Sequence, residues 1–592
     1  MELLIKRRMK IRQLRTLFGA FILGILLVSC VQTGTKTLSI IETTDIHGVI
    51  LPYDYIDKNE LNASLASAYS YIKETRSKNA TVLLDNGDNL QGQPEVYYYN
   101  FIDTVSPHLL SGVMNYMEYD AGTVGNHDIE TGHAVYDRII GEYKFPLLAA
   151  NAIDTKSDKP YFKPYDIIER DGIRIAVFGL VTPQIPEWLP FELYYGMEFE
   201  DMVETAKKWM PEIIEEKPDL IVGLFHSGWD GSENQNNKYN EDGSAAVAYN
   251  VPGFDIIFTG HDHRVANEQF VNSAGDTVLI LNGGSKATKL AQADITFFPG
   301  KNKKRKMSIS GKIVNVSDYR PDSELIAKYS SQHNIVYDYV NRVIGTSSAD
   351  ISSRDAYFGS SAFVDFIHSI QTEITGSDIS FAAPLSFDVE ISRGPVTVGD
   401  LFKLYRFENM LYTMTLSGEE IRKYLEFSYS GWLNTMKGPG DGLLKFRTDK
   451  KGKTLLTDGK AWLKNQPYNF ESASGIDYVV DVSKPEGSRV EIKGFTNGQP
   501  FMENKIYKVS VNSYRGNGGG GHFTEGAGID KNELRARLVK STERDLRYYI
   551  LKSIEARKTI DPEAKNNWKI IPENWVQLAR KREYPLLFGT AN

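Results

Sequence analysis

Five of the ten histidines in this 592-residue chain fall in short clusters with aspartate, asparagine and glycine. These are Asp45-Ile46-His47-Gly48, Asp85-Asn86-Gly87-Asp88, Gly125-Asn126-His127-Asp128, His226-Ser227-Gly228 and Gly260-His261-Asp262-His263. Carboxylate, imidazole and carboxamide together suit first-row divalent cations of the zinc or manganese kind, rather than a thiolate site or an all-oxygen calcium site. Two such ions roughly 3.5 to 4 Å apart need an acidic group between them to offset their repulsion, and such a pair activates water while gripping a phosphoryl group. The chemistry the clusters support is therefore metal-assisted hydrolysis of a phosphate ester.

Residues so far apart in sequence meet only if the elements carrying them converge. Each cluster follows a strand-like run, and apolar runs at Leu38–Ile41, Thr81–Leu84, Ile173–Phe178, Leu220–Leu224 and Asp255–Phe258 suit strands buried on both faces. The intervening segments 63–78 and 202–216 have helical spacing, so residues 38 to about 298 read as a layered α/β domain. In sheets of this kind, loops at the carboxyl ends of the strands gather into a site.

A basic run, Lys301–Lys306, reads as a solvated loop, and residues 323–343 read as a helix through Leu325, Ile326, Tyr329, Ile335, Tyr337 and Val340. Strand-like stretches follow at Leu411–Leu416 and Ile506–Val511, and Thr542 and Asp545 are spaced as a capping pair before a helix at Leu546–Leu551. The expected division is 38–315, a linker helix at 316–345, and a second domain at 346–592.

The net charge is −8 and the 68 basic residues are scattered, which argues against polymeric nucleic acid as a partner. Residues 1–30 differ from the rest: Lys6, Arg7, Arg8, Lys10, Arg12 and Arg15 precede an apolar run from Leu17 to Val28. This reads as a secretory signal. Leu27-Val28-Ser29-Cys30 resembles a bacterial lipobox, in which Cys30, the only cysteine, becomes a lipid anchor, and Val31–Thr37 reads as a tether. The expected location is the bacterial cell envelope, lipid-anchored on the periplasmic side or the cell surface.

Taken together, the clusters resemble the 5'-nucleotidase family of calcineurin-like metallophosphoesterases over nearly the whole chain beyond the signal. Leu38–Ile50 is similar to that family's first signature and Tyr119–Asp128 to most of the second. The resemblance implies a four-layer α/β/β/α domain followed by an α+β C-terminal domain that binds substrate. It also implies two divalent metal ions, one held by Asp45, His47, Asp88 and His263, the other by Asp88, Asn126, His226 and His261, with Asp88 as the bridge. His127 would stabilise the phosphoryl transition state together with Glu130; the family more usually has Asp or Asn at that acidic position, and Asp128-Ile129 replaces Glu-Phe.

In the second domain, Phe407-Glu408-Asn409 and Tyr514-Arg515-Gly516-Asn517-Gly518-Gly519 resemble the segments whose aromatic rings sandwich a base. Phe407 and Tyr514 would stack, with Asn409 hydrogen bonding nearby. Asp85–Gly92, Phe381–Pro384 and Tyr514-Arg515 are similar to the branch that hydrolyses 2',3'-cyclic nucleotides and 3'-nucleotides. The expected substrates are thus nucleotides or cyclic nucleotides, with 5'-nucleotidase or nucleotide-sugar hydrolase as the alternative and a non-catalytic nucleoside-binding lipoprotein as a third reading.

Overall fold

The computed structural model describes residues 35–229, 240–299 and 306–589. The signal segment, Cys30 and all but Lys306 of the basic run lie outside the described residues. Part of the expected tether is strand, because pairing begins at Lys36.

The first domain holds two six-stranded sheets. Its strands are β1 (Lys36–Thr43), β2 (Ala80–Asp85), β3 (Ala121–Thr123), β4 (Leu147–Leu148), β5 (Tyr165–Arg170), β6 (Ile173–Val181), β7 (Leu220–His226), β8 (Ile256–Thr259), β9 (Val265–Val271), β10 (Thr277–Gly283), β11 (Lys289–Phe298) and β12 (Lys306–Asn315). One sheet runs in the order β12-β11-β1-β2-β3-β4, the other β9-β10-β8-β7-β6-β5. In the first, β1 to β4 are parallel, with β11 and β12 added antiparallel. In the second, β6, β7, β8 and β10 are parallel, with β5 and β9 antiparallel at the edges.

Successive side chains in a strand point to opposite faces, so an uninterrupted apolar run must be covered twice. Ile40, Leu84, Val177 and Leu224 pack into the layer between the two sheets. Their neighbours turn outward: Ile41 and Leu83 under one helical layer, Phe178 and Phe225 under the other. The result is four layers, α/β/β/α.

The helices positioning the site are α1 (Leu65–Arg76), the short α2 (Pro94–Tyr97) and α3 (Asn126–Ile129), and α4 (Met202–Glu215). Ser64 caps α1 by accepting from the Ser67 amide, and Asp201 caps α4 by accepting from the Glu204 amide. The long helix α5 (Ser323–Asn341) buries Leu325, Tyr329, Val336 and Val340 on the outer face of the first sheet. Ile335 and Tyr337, expected on its apolar face, are exposed. The stripe that packs is the one at three- and four-residue steps from Leu325 through Val336, which leaves those two on the opposite side.

The C-terminal half is α+β. Strands β13 (Ile379–Ala382), β14 (Met410–Ser417), β15 (Ser472–Ser474), β16 (Ile506–Asn512) and β17 (Leu538–Asp545) form a sheet in the order β15-β13-β16-β14-β17. Helices α6 (Ala362–Thr375), α7 (Val398–Leu404), α8 (Gly418–Trp432) and α9 (Leu546–Arg557) cover it. The α9 cap differs from the expected one. Asp545 itself is the capping residue, accepting from the Tyr548 amide at 3.2 Å, whereas Thr542 lies within β17 and accepts from the Leu411 amide at 2.9 Å. Pairing with β14 extends the strand to Asp545, so the helix starts three residues later than a cap at Thr542 would require.

Because Leu224 is fully buried between the sheets, Leu224→Ala is expected to destabilise the first domain by about 2 to 5 kcal/mol. Thermal unfolding followed by circular dichroism would show a midpoint lowered by several degrees; an unchanged midpoint would contradict the two-sheet core.

Candidate metal centre

The five clusters come from both sheets. Asp45 and His47 follow β1, Asp88 follows β2, and Asn126 opens α3 just beyond β3, all in the first sheet; His226 ends β7 and His261 and His263 follow β8, in the second. The strand ends meet. His226 Nε2 lies 3.3 Å from the Asp88 carboxylate, and His263 Nε2 lies 3.3 Å from that of Asp45. Asp45, His47 and His263 form one group able to surround an ion, and Asp88, His226 and His261 a second. Asn126 joins the second group, with its amide oxygen 3.3 Å from His226 Nε2.

The backbone is bent to make this possible. Asp45, His47, Asp88, His261 and His263 all have left-handed φ, between 49° and 70°. Side-chain-bearing residues seldom adopt that region, and a cluster of them marks a place where surrounding contacts enforce the conformation. Here those contacts are visible. The Asp45 amide donates to Gly87 O (2.9 Å), the His47 amide to Asp88 O (3.0 Å) and the Lys286 amide to Asp45 O (2.8 Å). The His261 amide donates to both Asp45 oxygens, at 3.2 and 3.1 Å. A Cβ at Gly125 would lie 2.0 Å from the Asp88 carboxylate, so only glycine lets these two loops touch.

Asp128, a member of the third cluster with no role expected of it from the sequence, organises this region. Its carboxylate accepts from the amides of Gly125 and Asp88 (2.8 Å each), Asn89 (2.9 Å) and Leu90 (3.0 Å), tying the Asp88 loop to the start of α3. Each imidazole is also set by its other nitrogen: His47 Nδ1 faces Gln91 O at 3.0 Å and His226 Nδ1 faces Asn86 O at 2.6 Å. That arrangement leaves Nε2 of both rings for the centre.

The donor set fits divalent cations. Asp45 and Asp88 are buried, and among the described residues their only ion-pair partners are histidines. Buried carboxylates need balancing positive charge. Without a cation that charge comes from protons: burial pulls the His226 pKa down, but Asp88 and Asp45 outweigh it and push it up to about 10. His47, by contrast, is lowered to about 4, chiefly by burial. His47 Nε2 and His263 Nε2 stand 3.0 Å apart, two nitrogen lone-pair positions aimed at one point. Neutral imidazole and carboxylate oxygens converging in this way are what an ion of the zinc or manganese kind binds.

His127 follows Asn126, and its Nδ1 lies 2.5 Å from Glu130 Oε2. Burial opposes protonation of His127, but the charges of Asp88 and Glu130 prevail and raise its pKa to about 10. Both residues border a cavity of about 540 Å³. Asn126, His127, Glu130 and His261 line that cavity together with Phe407, Asn409 and Tyr514 of the C-terminal half. Of the predicted substrate contacts, all three therefore reach the same space as Asn126, His127, Glu130 and His261.

Three further cavity residues gave no signal in the sequence. Tyr468 stands edge-on to Phe407 (5.9 Å, 90°) and to Tyr514 (6.3 Å, 86°). Trp188 stacks on His261 at 5.4 Å, and Glu241 Oε1 lies 3.0 Å from His261 Nε2. A Cβ at Gly519 would fall 2.6 Å from the Tyr514 ring, so the glycine loop backs that ring directly.

Known proteins share the fold and much of the sequence. The calcineurin-like phosphoesterase family matches residues 38–265, and the family described as 5'-nucleotidase, C-terminal domain, matches residues 343–525. A 2',3'-cyclic-nucleotide 2'-phosphodiesterase/3'-nucleotidase of Salmonella typhimurium is 27% identical, over 94% of this chain and 92% of its own. A 5'-nucleotidase of Vibrio cholerae is 24% identical over 66% of this chain and 75% of its own. Among solved structures, a Staphylococcus aureus protein described as a 5'-nucleotidase shares the fold, with a TM-score of 0.73 at 20% identity over 90% of this chain and all of that one.

Since Asp128 fastens the Asp88 loop without itself facing the centre, Asp128→Ala is expected to weaken metal binding roughly 10- to 100-fold while leaving the fold in place. Calorimetric titration of the metal-free protein with manganese would measure this; wild-type affinity in a folded variant would remove Asp128 from the support of the site.

Proposed function

Because the chain belongs to the calcineurin-like phosphoesterases and carries a 5'-nucleotidase C-terminal domain, we propose that it hydrolyses nucleotide phosphoesters. The preferred substrates are 2',3'-cyclic nucleotides and 3'-nucleotides. The observation that carries this reading is one cavity lined by His127 and Glu130, by Asn126 and His261 of the second group of ligand-type residues, and by Phe407, Asn409 and Tyr514. A nucleotide has the matching shape: a phosphate to be cleaved at one end and a flat base at the other. The near full-length likeness to the Salmonella protein supports the 2',3'-cyclic and 3' positions.

Asp45, His47, Asp88 and His263 would hold one divalent ion, and Asp88, Asn126, His226 and His261 the other, with zinc or manganese as the expected metals. When bound, such a pair supplies an activated water and Lewis acidity at the phosphoryl oxygens. The remaining work falls to the protein. Glu130 engages Nδ1 of His127, which leaves Nε2 to donate to the oxygen on which charge develops. Phe407 and Tyr514 bind the base by stacking, worth about 1 to 3 kcal/mol per base and tolerant of base identity. Asn409, held by the start of α9 through Leu546, offers its amide to the base edge.

We further read the enzyme as acting outside the cytoplasm, anchored through lipidated Cys30. Among the described residues no helix is long and apolar enough to cross a membrane.

A product-resolved assay of the manganese- or zinc-loaded protein with 2',3'-cyclic AMP, 3'-AMP, 5'-AMP and a nucleotide sugar tests the substrate. Turnover of the first two with little of the others is expected; preference for 5'-AMP or the nucleotide sugar would favour the alternative, and no turnover with metal bound would favour a nucleoside-binding protein. Tyr514→Ala is expected to raise KM for 3'-AMP at least about tenfold with little change for a small aryl phosphate. An equal effect on both would eliminate stacking.

A further inference from the structure

The base-side loop between α7 and β14, which carries Phe407 and Asn409, has backbone carbonyls at Tyr405 and Arg406 that lie outside both flanking elements. Carbonyls outside regular elements need donors from elsewhere, the buried Tyr405 most of all. They receive them from one side chain, Arg547, in the first turn of α9, 141 to 142 residues away. Its Nε donates to Tyr405 O (2.9 Å), one terminal nitrogen to Arg406 O (2.6 Å) and the other to Glu408 Oε1 (2.8 Å). Arg547 is only 1% exposed. The amide of Leu546, beside it, donates to Asn409 O at 2.8 Å. One helical turn thus holds four of the five residues from Tyr405 to Asn409.

The same turn touches the other domain. The Arg547 guanidinium lies beside a perpendicular pair of rings, 4.0 Å from the ring centre of Phe402 in α7 and 4.8 Å from that of Tyr97 in α2. The Tyr97 hydroxyl donates to Asp545, the capping residue of α9, at 3.1 Å. Tyr97 ends the short helix that directly follows the Asp88 loop, and that loop's Gln91 and Gln93 both bond to His47. A short path of chain and contacts therefore runs from His47 through the Gln91–Gln93 segment and Tyr97 to Arg547, and on to Arg406 and Glu408 on either side of Phe407.

We propose that Arg547 is a positioning residue that sets the distance and angle between the base-stacking ring of Phe407 and the metal centre. It thereby fixes which phosphate position of a bound nucleotide is presented for cleavage. This rests on the base-binding role of Phe407 and Tyr514 proposed above. A planar, permanently charged fork suits this role because it makes three bonds in fixed directions while its faces pack on aromatic rings, which the single ammonium of lysine does not reproduce. Glu408 is buried alongside it, so the charge of Arg547 is balanced within the loop it holds.

The test compares Arg547→Met, Arg547→Lys and Tyr514→Ala in the metal-loaded full chain. The readouts are KM and kcat for 3'-AMP and 5'-AMP, kinetics with a small aryl phosphate, and adenosine affinity by calorimetry. For Arg547→Met we expect KM for 3'-AMP and the adenosine Kd to rise about tenfold, the ratio of 3'-AMP to 5'-AMP turnover to fall, and aryl phosphate kinetics to stay within about twofold. Arg547→Lys, which keeps the charge, should change in the same direction by a smaller factor, and carries the test if the methionine variant does not fold. Equal changes for nucleotide and aryl phosphate, or no change in either, would overturn the proposal. If Tyr514→Ala alters neither nucleotide KM nor adenosine Kd, the base slot itself is wrong and the role of Arg547 falls with it. If Tyr514→Ala has its effect and both Arg547 variants do not, only the positioning role is lost.

Discussion

Asp45 and Asp88 are carboxylates removed from solvent at the crease where two β-sheets meet, with histidines as their only ionic partners among the described residues. Holding negative charge in such a place is unfavourable unless positive charge and hydrogen-bond donors surround it. Much of the first domain can be understood as meeting that demand. Amides are turned inward by left-handed residues, Asp128 gathers four N–H groups at once, and imidazoles are locked by backbone carbonyls so that the opposite nitrogens face the acids. The strain of five left-handed non-glycine residues is sustained because the central strands behind them are buried on both faces. A softer scaffold would relax it, and the ligand-type groups would no longer converge.

The second layer of organisation is between domains. The ligand-type residues belong wholly to the first half of the chain and Phe407, Tyr468 and Tyr514 to the second, yet Asn126 and His261 border one cavity with those rings. Two kinds of contact keep them in register. On one side, α2 and α9 meet through Tyr97, Asp545 and Arg547 in a buried, largely aromatic junction. On the other, Asn517 donates to the Trp188 carbonyl and Lys531 pairs with Glu187, at the exposed mouth of the cavity. The first is packed and desolvated; the second is polar and solvent-screened, which makes it the weaker of the two. The C-terminal side of the cavity is accordingly tied firmly near Phe407 and more loosely near the Tyr514 loop.

Particular residues explain how much is legible in the chain before it folds. Ile40-Ile41, Leu83-Leu84 and Val177-Phe178 announce strands covered on both faces because alternate side chains are apolar with no polar face left over. The clusters at Asp45, Asp88, Asn126, His226 and His261 are legible because ligand-type residues directly after such runs have few other uses. Asp128, Tyr468, Trp188 and Arg547 are not, because nothing in their local spacing distinguishes a helix residue or a loop aromatic from its neighbours. The α9 cap is hidden for a related reason: Thr542 and Asp545 have the right spacing for a capping box, but pairing of β17 with β14 claims Thr542 first.

By itself, then, the amino-acid order determined the layered fold and the chemical type of the metal groups, since both depend on residue kind and on periods of two or a few residues that act locally. It also determined the aromatic character of the second site. Only the tertiary structure decided that the clusters converge from the strand ends of two different sheets, that a carboxylate 40 residues from Asp88 holds its loop, and that one buried arginine joins the Tyr405–Asn409 loop to the helix after the Asp88 loop. Those are matters of distance between segments far apart in the chain, and distance is set by how the layers pack rather than by any residue's immediate neighbours.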